Sequence, residues 1–98
     1  MSFYDEKHNK IADICEFGDE NNELEEIFRD TTIDPTYDNN IFIIVAAECG
    51  HVDVVKRLLK CENVNPSAQN NLALRMAIQN NHSEVVSLIQ SDHRYKNR

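Results

Sequence analysis

Apolar residues recur in a doubled pattern through the second half of the chain. A run from Ile41 to Ala47 is followed, after the break Glu48 to His51, by Val54, Val55, Leu58 and Leu59. The same order returns as Leu72, Leu74 and Ala77, then Val85, Val86 and Ile89. In each copy the second cluster keeps the spacing that puts its side chains on one face of a helix. The pattern predicts two helices per copy, the first over about Ile41 to Cys49 and again Leu72 to Asn80.

The polar residues between these clusters repeat as well. Pro35 and Pro66 stand 31 residues apart, and Asn39-Asn40, Ala46, His51 and Val54-Val55 match Asn70-Asn71, Ala77, His82 and Val85-Val86 at that spacing. Such self-similarity marks a repeat protein whose units stack to share one core. Each proline forbids continuation of a preceding helix and opens a unit. Asn39 and Asn70 suit a left-handed turn, and Asn40 and Asn71 are expected to cap the helix that follows. Gly50 and Asn81 are expected to end it as left-handed caps.

The first third reads as a degenerate copy. Leu24, Ile27, Phe28 and Ile33 lie 31 residues before Val55, Leu58, Leu59 and Val64. Upstream, Ser2 and Asp5 form a capping pair, Ile11, Ile14 and Cys15 keep helical spacing, and Gly18 can end that helix. The spacing from Gly18 to Leu24 is one residue longer than that from Gly50 to Val55. The expected organisation is one all-α domain over residues 1–98, a solenoid of about two and a half stacked helix-turn-helix repeats. It divides into a degenerate N-terminal cap over 3–32, repeats over 33–63 and 64–94, and a tail over 95–98.

The stretch from Gly50 to Leu59 resembles the inter-helix turn and second helix of the ankyrin family. The stretch from Asn65 to Arg75 is similar to a shorter repeat variant found in amoebae and in large DNA viruses that infect them. The resemblance covers residues 33–95 well and 3–32 loosely. It departs from the commonest pattern in lacking the Thr-Pro-Leu-His element, where Ile41-Phe42-Ile43-Ile44 and Leu72-Ala73-Leu74-Arg75 stand instead. The family implies projecting finger turns, a concave groove for protein recognition, and no catalysis. Carried onto this chain, it puts Thr36, Tyr37 and Asp38, then Ser67, Ala68 and Gln69, on the fingers. Val45, Glu48 and Cys49, then Met76, Gln79 and Asn80, would face the groove. From these, the expected partner-binding residues are Tyr37, Asp38, Val45, Glu48, Cys49, Gln69, Met76, Gln79 and Asn80.

Charge narrows the choice of partner. The net charge is −7, and the acids gather before residue 30 while the last third is mildly basic. Phosphate backbones would be repelled, so a protein partner, preferably basic, is expected rather than nucleic acid. Two alternatives stand beside it. Exposed stack ends would pair into a homodimer, or an acidic surface would act as a decoy for a nucleic-acid-binding protein. No apolar run is long enough for a membrane span and no secretory or lipidation signal is present, which predicts an intracellular, cytoplasmic protein with the nucleus left open.

Candidate chemistry is sparse. His51 with Asp53 and His82 with Glu84 would suit a metal or acid–base site, but their duplication with the repeat favours a turn role. Cys15, Cys49 and Cys61 lack paired spacing; Cys15 reads as a small core residue aligned with Ala46 and Ala77, and Cys49 as the more exposed thiol. Glu23, Glu25 and Glu26 read as a solvated face, and His93 to Arg98 as a frayed end. Without a phosphate loop, nucleophile motif or metal-ligand spacing, no catalytic residue, metal or cofactor is expected.

Overall fold

The computed structural model describes residues 6–95, so the Ser2–Asp5 capping pair and the tail beyond Tyr95 lie outside the described residues. Within them the chain forms α1 (Glu6–Phe17), α2 (Leu24–Phe28), α3 (Tyr37–Cys49), α4 (Val52–Leu59), α5 (Ala68–Gln79) and α6 (Ser83–Ser91), with no strand among the described residues. The first helices of successive repeats lie side by side, α1 on α3 and α3 on α5, and α4 packs on α6 behind them.

Each helix pair is bound to the next through one apolar layer. Ile11, Ile14, Cys15, Phe42, Ile43, Ala46, Ala47, Ala73, Leu74 and Ala77 come from first helices, and Leu24, Val54, Val55, Leu58, Val85 and Ile89 from second helices. Ile33 and Val64 close the layer ahead of each turn. Alanine recurs where first helices press together, because a larger side chain would hold them apart. Burying a Leu58 or Ile89 side chain is worth about 1.5–3 kcal/mol against leaving it in water, so this face can be satisfied only by stacking.

The turn that opens each repeat differs from the expected one. Asp38, Asn39 and Asn40 are all left-handed, with φ of 53°, 57° and 64°, and so are Gln69, Asn70 and Asn71, with φ of 58°, 60° and 62°. A helix cap requires extended backbone, so Asn40 and Asn71 do not cap their own helices. Regular helix begins only at Ile41 and Leu72. Left-handed residues cost roughly 1–2 kcal/mol each, least for Asn and Asp, and side chains offset the cost here. Asp34 Oδ1 accepts from the Thr36 amide and hydroxyl at 2.9 and 2.7 Å, and Asn65 Oδ1 from the Ser67 amide at 3.0 Å. Arg75 Nε donates to the Asn70 carbonyl at 3.0 Å, pinning the turn from outside.

The degenerate repeat keeps this scheme with a shorter second helix. Gly18, at φ 97°, ends α1 as expected, and the extra residue before α2 is taken up by a loop in which Asn22 is also left-handed, at φ 55°. Asp19 Oδ1 accepts the Glu23 amide at 2.7 Å and the Leu24 amide at 3.3 Å, capping α2.

Candidate functional site

Side chains that tie one repeat to the next also set the register of the exposed face. His51 Nε2 donates to the Glu16 carbonyl at 3.0 Å, and His82 Nε2 to the Glu48 carbonyl at 3.0 Å. A carbonyl only accepts, so both rings carry their proton on Nε2. Duplicated in this way, the histidines fasten each second-helix turn to the preceding first helix, the role their repetition suggested. Each ring also rests on a left-handed glycine, His51 on Gly18 and His82 on Gly50.

A second set of bonds joins the opening turns. The amide of Asn65, just before Pro66, donates to Asn40 Oδ1 at 2.9 Å, and the amide of Asp34, just before Pro35, donates to His8 Nε2 at 3.0 Å. Asn40 and His8 therefore do the same work at successive interfaces. Inter-repeat bonding expected of Thr-Pro-Leu-His is thus rebuilt from other residues.

These bonds make Glu16 equivalent to Glu48 and Gly18 to Gly50, so α1 runs 32 rather than 31 residues ahead of α3. Cys15 accordingly stands in the place of Ala47, not of Ala46 as the uniform spacing predicted. The inserted residue after Gly18 causes the shift. The reading of Cys15 as core holds: it is fully buried, and burial pushes its thiol up to about 12, with Cys49 adding to the shift.

Four of the predicted partner-binding residues converge. Val45, Glu48, Cys49 and Asn80 line an open cleft of about 700 Å³, joined by Glu16 and His82. Asn80 Nδ2 bridges the two helices, donating to the Glu48 carbonyl at 3.3 Å and to that of Met76 at 3.0 Å. Met76, half-buried, and Gln79, exposed, occupy in α5 the places of Val45 and Glu48 in α3. The Cys49 thiol is raised by partial burial and then by the Glu48 and Glu16 carboxylates, so it is held as a neutral thiol rather than activated.

The remaining three lie at the other end of the first helices, on the turns. Asp38 is exposed, while Gln69 is drawn sideways, its Nε2 donating to the Asn39 carbonyl of the neighbouring turn at 3.0 Å. Tyr37 was expected as an exposed contact. Instead it is half-buried, stacked on His8 with ring centroids 4.2 Å apart and 5.9 Å from Phe42, because the left-handed turn folds its ring back over α1.

Sequence reasoning missed Glu16 and Phe17. Phe17 is 67% exposed and takes in α1 the place of Cys49 in α3. The one-residue difference after Gly18 was the signal that would have brought both into line. Arg94, placed in a frayed end, is also firmly held: its guanidinium reaches the carbonyls of Leu59, Cys61 at 2.7 Å and Val64 at 2.9 Å and the Asp92 carboxylate. Glu25, 70% exposed on the solvated face as expected, also pairs with Arg57, whose guanidinium lies 4.6 Å over the Phe28 ring. No cluster of His, Cys, Asp or Glu is arranged to hold a metal among the described residues.

Three stacked helix pairs, left-handed turns between them and histidines bonded back across each interface are the marks of one family. A family model described as ankyrin repeats, three copies, matches residues 11–98. The chain belongs to the ankyrin repeat family. Among curated proteins it is 45% identical over 60 residues to the mitochondrial liver isoform of glutaminase from Rattus norvegicus and 43% identical over 60 residues to that from Mus musculus. Each match takes in 58% of this chain and 10% of the relative, so the chain spans about a tenth of the length of these glutaminases. No solved structure matches it. Ankyrin repeats generally mediate protein–protein interaction and are generally non-catalytic. No helix among the described residues is long and apolar enough to cross a membrane.

Proposed function

We propose that this chain is a non-catalytic binding module that receives a partner protein along the face formed by its first helices. The observation that carries this reading is the convergence of Val45, Glu48, Cys49 and Asn80 on one open cleft that spans the repeats. Its walls mix an aliphatic side chain, carboxylates and an amide, which suits a polypeptide offering both apolar and polar groups. Gln79 and Met76 extend the same surface along α5. Tyr37 serves mainly to hold the turn, so it is withdrawn from the contact set. The glutaminase matches carry no catalytic implication, since they touch a tenth of those proteins.

A photo-crosslinking residue at Gln79 tests the face. It should capture the partner, whereas the same residue at Lys56 on α4 should not. Capture from Lys56 alone would overturn the assignment.

A second reading, self-association through a stack end, is favoured by Ile78. This side chain is 54% exposed and, with Val86 and Ala77, borders a depression of about 420 Å³ on the outer side of the last repeat. Light scattering across a wide concentration range should then show a dimer that Ile78→Glu abolishes. A strict monomer throughout would end this reading.

A further inference from the structure

The register fixed by the inter-repeat bonds sorts the exposed first-helix face into rows that cross the three repeats. The turn row holds Glu6, Asp38 and Gln69, and the next holds Asp13, Val45 and Met76. Glu16, Glu48 and Gln79 form the third, and Phe17, Cys49 and Asn80 the fourth. In two rows the first two repeats carry an acid where the third carries glutamine. No lysine or arginine occurs in any of the four.

Three cations of the first two repeats, Lys10, Arg29 and Arg57, are paired off these rows, and Lys56 and Lys60 lie on or just after α4, behind the first helices. Lys10 pairs with Glu23 at 3.0 Å, and Arg57 pairs with Glu25 behind the first helices. Lys7 lies near Asp30, where it adds to the hydrogen bonds from Thr32 that lower that carboxyl's pKa. The groove is therefore polarised: carboxylates with one exposed aromatic, Phe17, over the first two repeats, and amides with a thioether over the third, where Arg75 reaches the Gln69 carbonyl at 3.4 Å.

We infer that the groove takes an extended basic peptide segment in one direction, its lysines or arginines against Glu16 and Glu48 and its uncharged part against Met76, Gln79 and Asn80. This rests on the groove reading above and adds the partner's chemical class and polarity. Charge complementarity selects this occupant, since an acidic or phosphate-bearing chain would meet like charge over two-thirds of the face. The molecule's longest dimension is 34 Å, and an extended chain advances about 3.3 Å per residue, so roughly ten residues would span it.

Panning a random nonapeptide library on the full chain tests the inference. The recovered peptides should be rich in Lys or Arg towards one end and uncharged towards the other. For the best of them, followed by fluorescence anisotropy, Glu16→Gln with Glu48→Gln should weaken binding roughly tenfold, the effect of losing two exposed ion pairs. The same pair of changes should flatten the salt dependence. Met76→Ala should weaken binding and leave the salt slope unchanged, and Glu26→Gln with Glu62→Gln, outside the groove, should do nothing. Uncharged peptides that still require Val45 and Asn80 would overturn the basic class while leaving the groove standing. Basic peptides sensitive to Glu26 and Glu62 but not to Glu16 and Glu48 would overturn both. Recovery of no binder would overturn the inference as well.

Discussion

At the scale of single residues, the structure gives Gly50 two reasons to be glycine. Its φ of 76° is left-handed, and a Cβ there would lie 2.6 Å from the His82 ring. At Gly18 the corresponding distance is 3.3 Å, so only the backbone cost applies in full. Gly50→Ala should therefore lower stability by about 2–3 kcal/mol, from left-handed strain and a weakened His82 bond. Gly18→Ala should cost less, and urea unfolding that reversed this order would refute the account. Cys15 supplies a pH test. Its thiol is raised in the folded protein to about 12 from 9.0, so the folded state holds its proton more tightly than the unfolded one. That contribution is full below pH 9 and is lost as pH rises towards 12, by about 1.4 kcal/mol per unit. Under reducing conditions, stability should fall more steeply between pH 9 and 11 than in Cys15→Ala; parallel curves would contradict it. The sequence already put Cys15 on the apolar face. Its equivalence to Ala47 was signalled only by the one extra residue after Gly18, because an insertion in a loop changes register without changing any helical pattern.

At the scale of elements, the repeat-opening turn and the end of α4 depend on side chains reaching across. Arg94 ties the carbonyl end of α4 and the following turn to the last repeat, and it raises the local demand on Asp92, whose carboxyl is lowered first by its hydrogen bond from Arg94. A lysine has one ammonium where this site uses a planar fork. Arg94→Lys should thus cost nearly as much as Arg94→Ala, about 2–3 kcal/mol, in chemical denaturation. Asp92 contributes stability above its unfolded pKa and loses it as pH falls through the lowered folded value, so Asp92→Asn should flatten the acid limb of the stability profile. Equal acid sensitivity in both proteins would exclude that role. Helix periods and Asn pairs made these elements visible in the sequence. The three-residue left-handed turn was only partly visible, since local propensity marks Asn39 and Asn70 but not the partners that hold Asp38 and Gln69 in the same conformation.

At the scale of the whole molecule, stability should be graded along the stack. α3 is packed between α1 and α5, whereas α2 is a five-residue helix at one end. Hydrogen exchange should find α3 the most protected and α2 the least, as expected when each repeat is stabilised by its neighbours. Uniform protection across all helices would argue for a single undivided core.

The chain's order of prolines, asparagines, glycines and apolar clusters determined the all-α repeat architecture and most of the core, because those features act within a few residues of one another. The tertiary structure alone decided the withdrawal of Tyr37 onto His8 and the gathering of Glu16 with Val45, Glu48, Cys49 and Asn80, and it showed that the extra residue after Gly18 shifts the register of the first repeat. Those outcomes are set by hydrogen bonds and packing between residues some thirty positions apart, a distance over which no local preference acts.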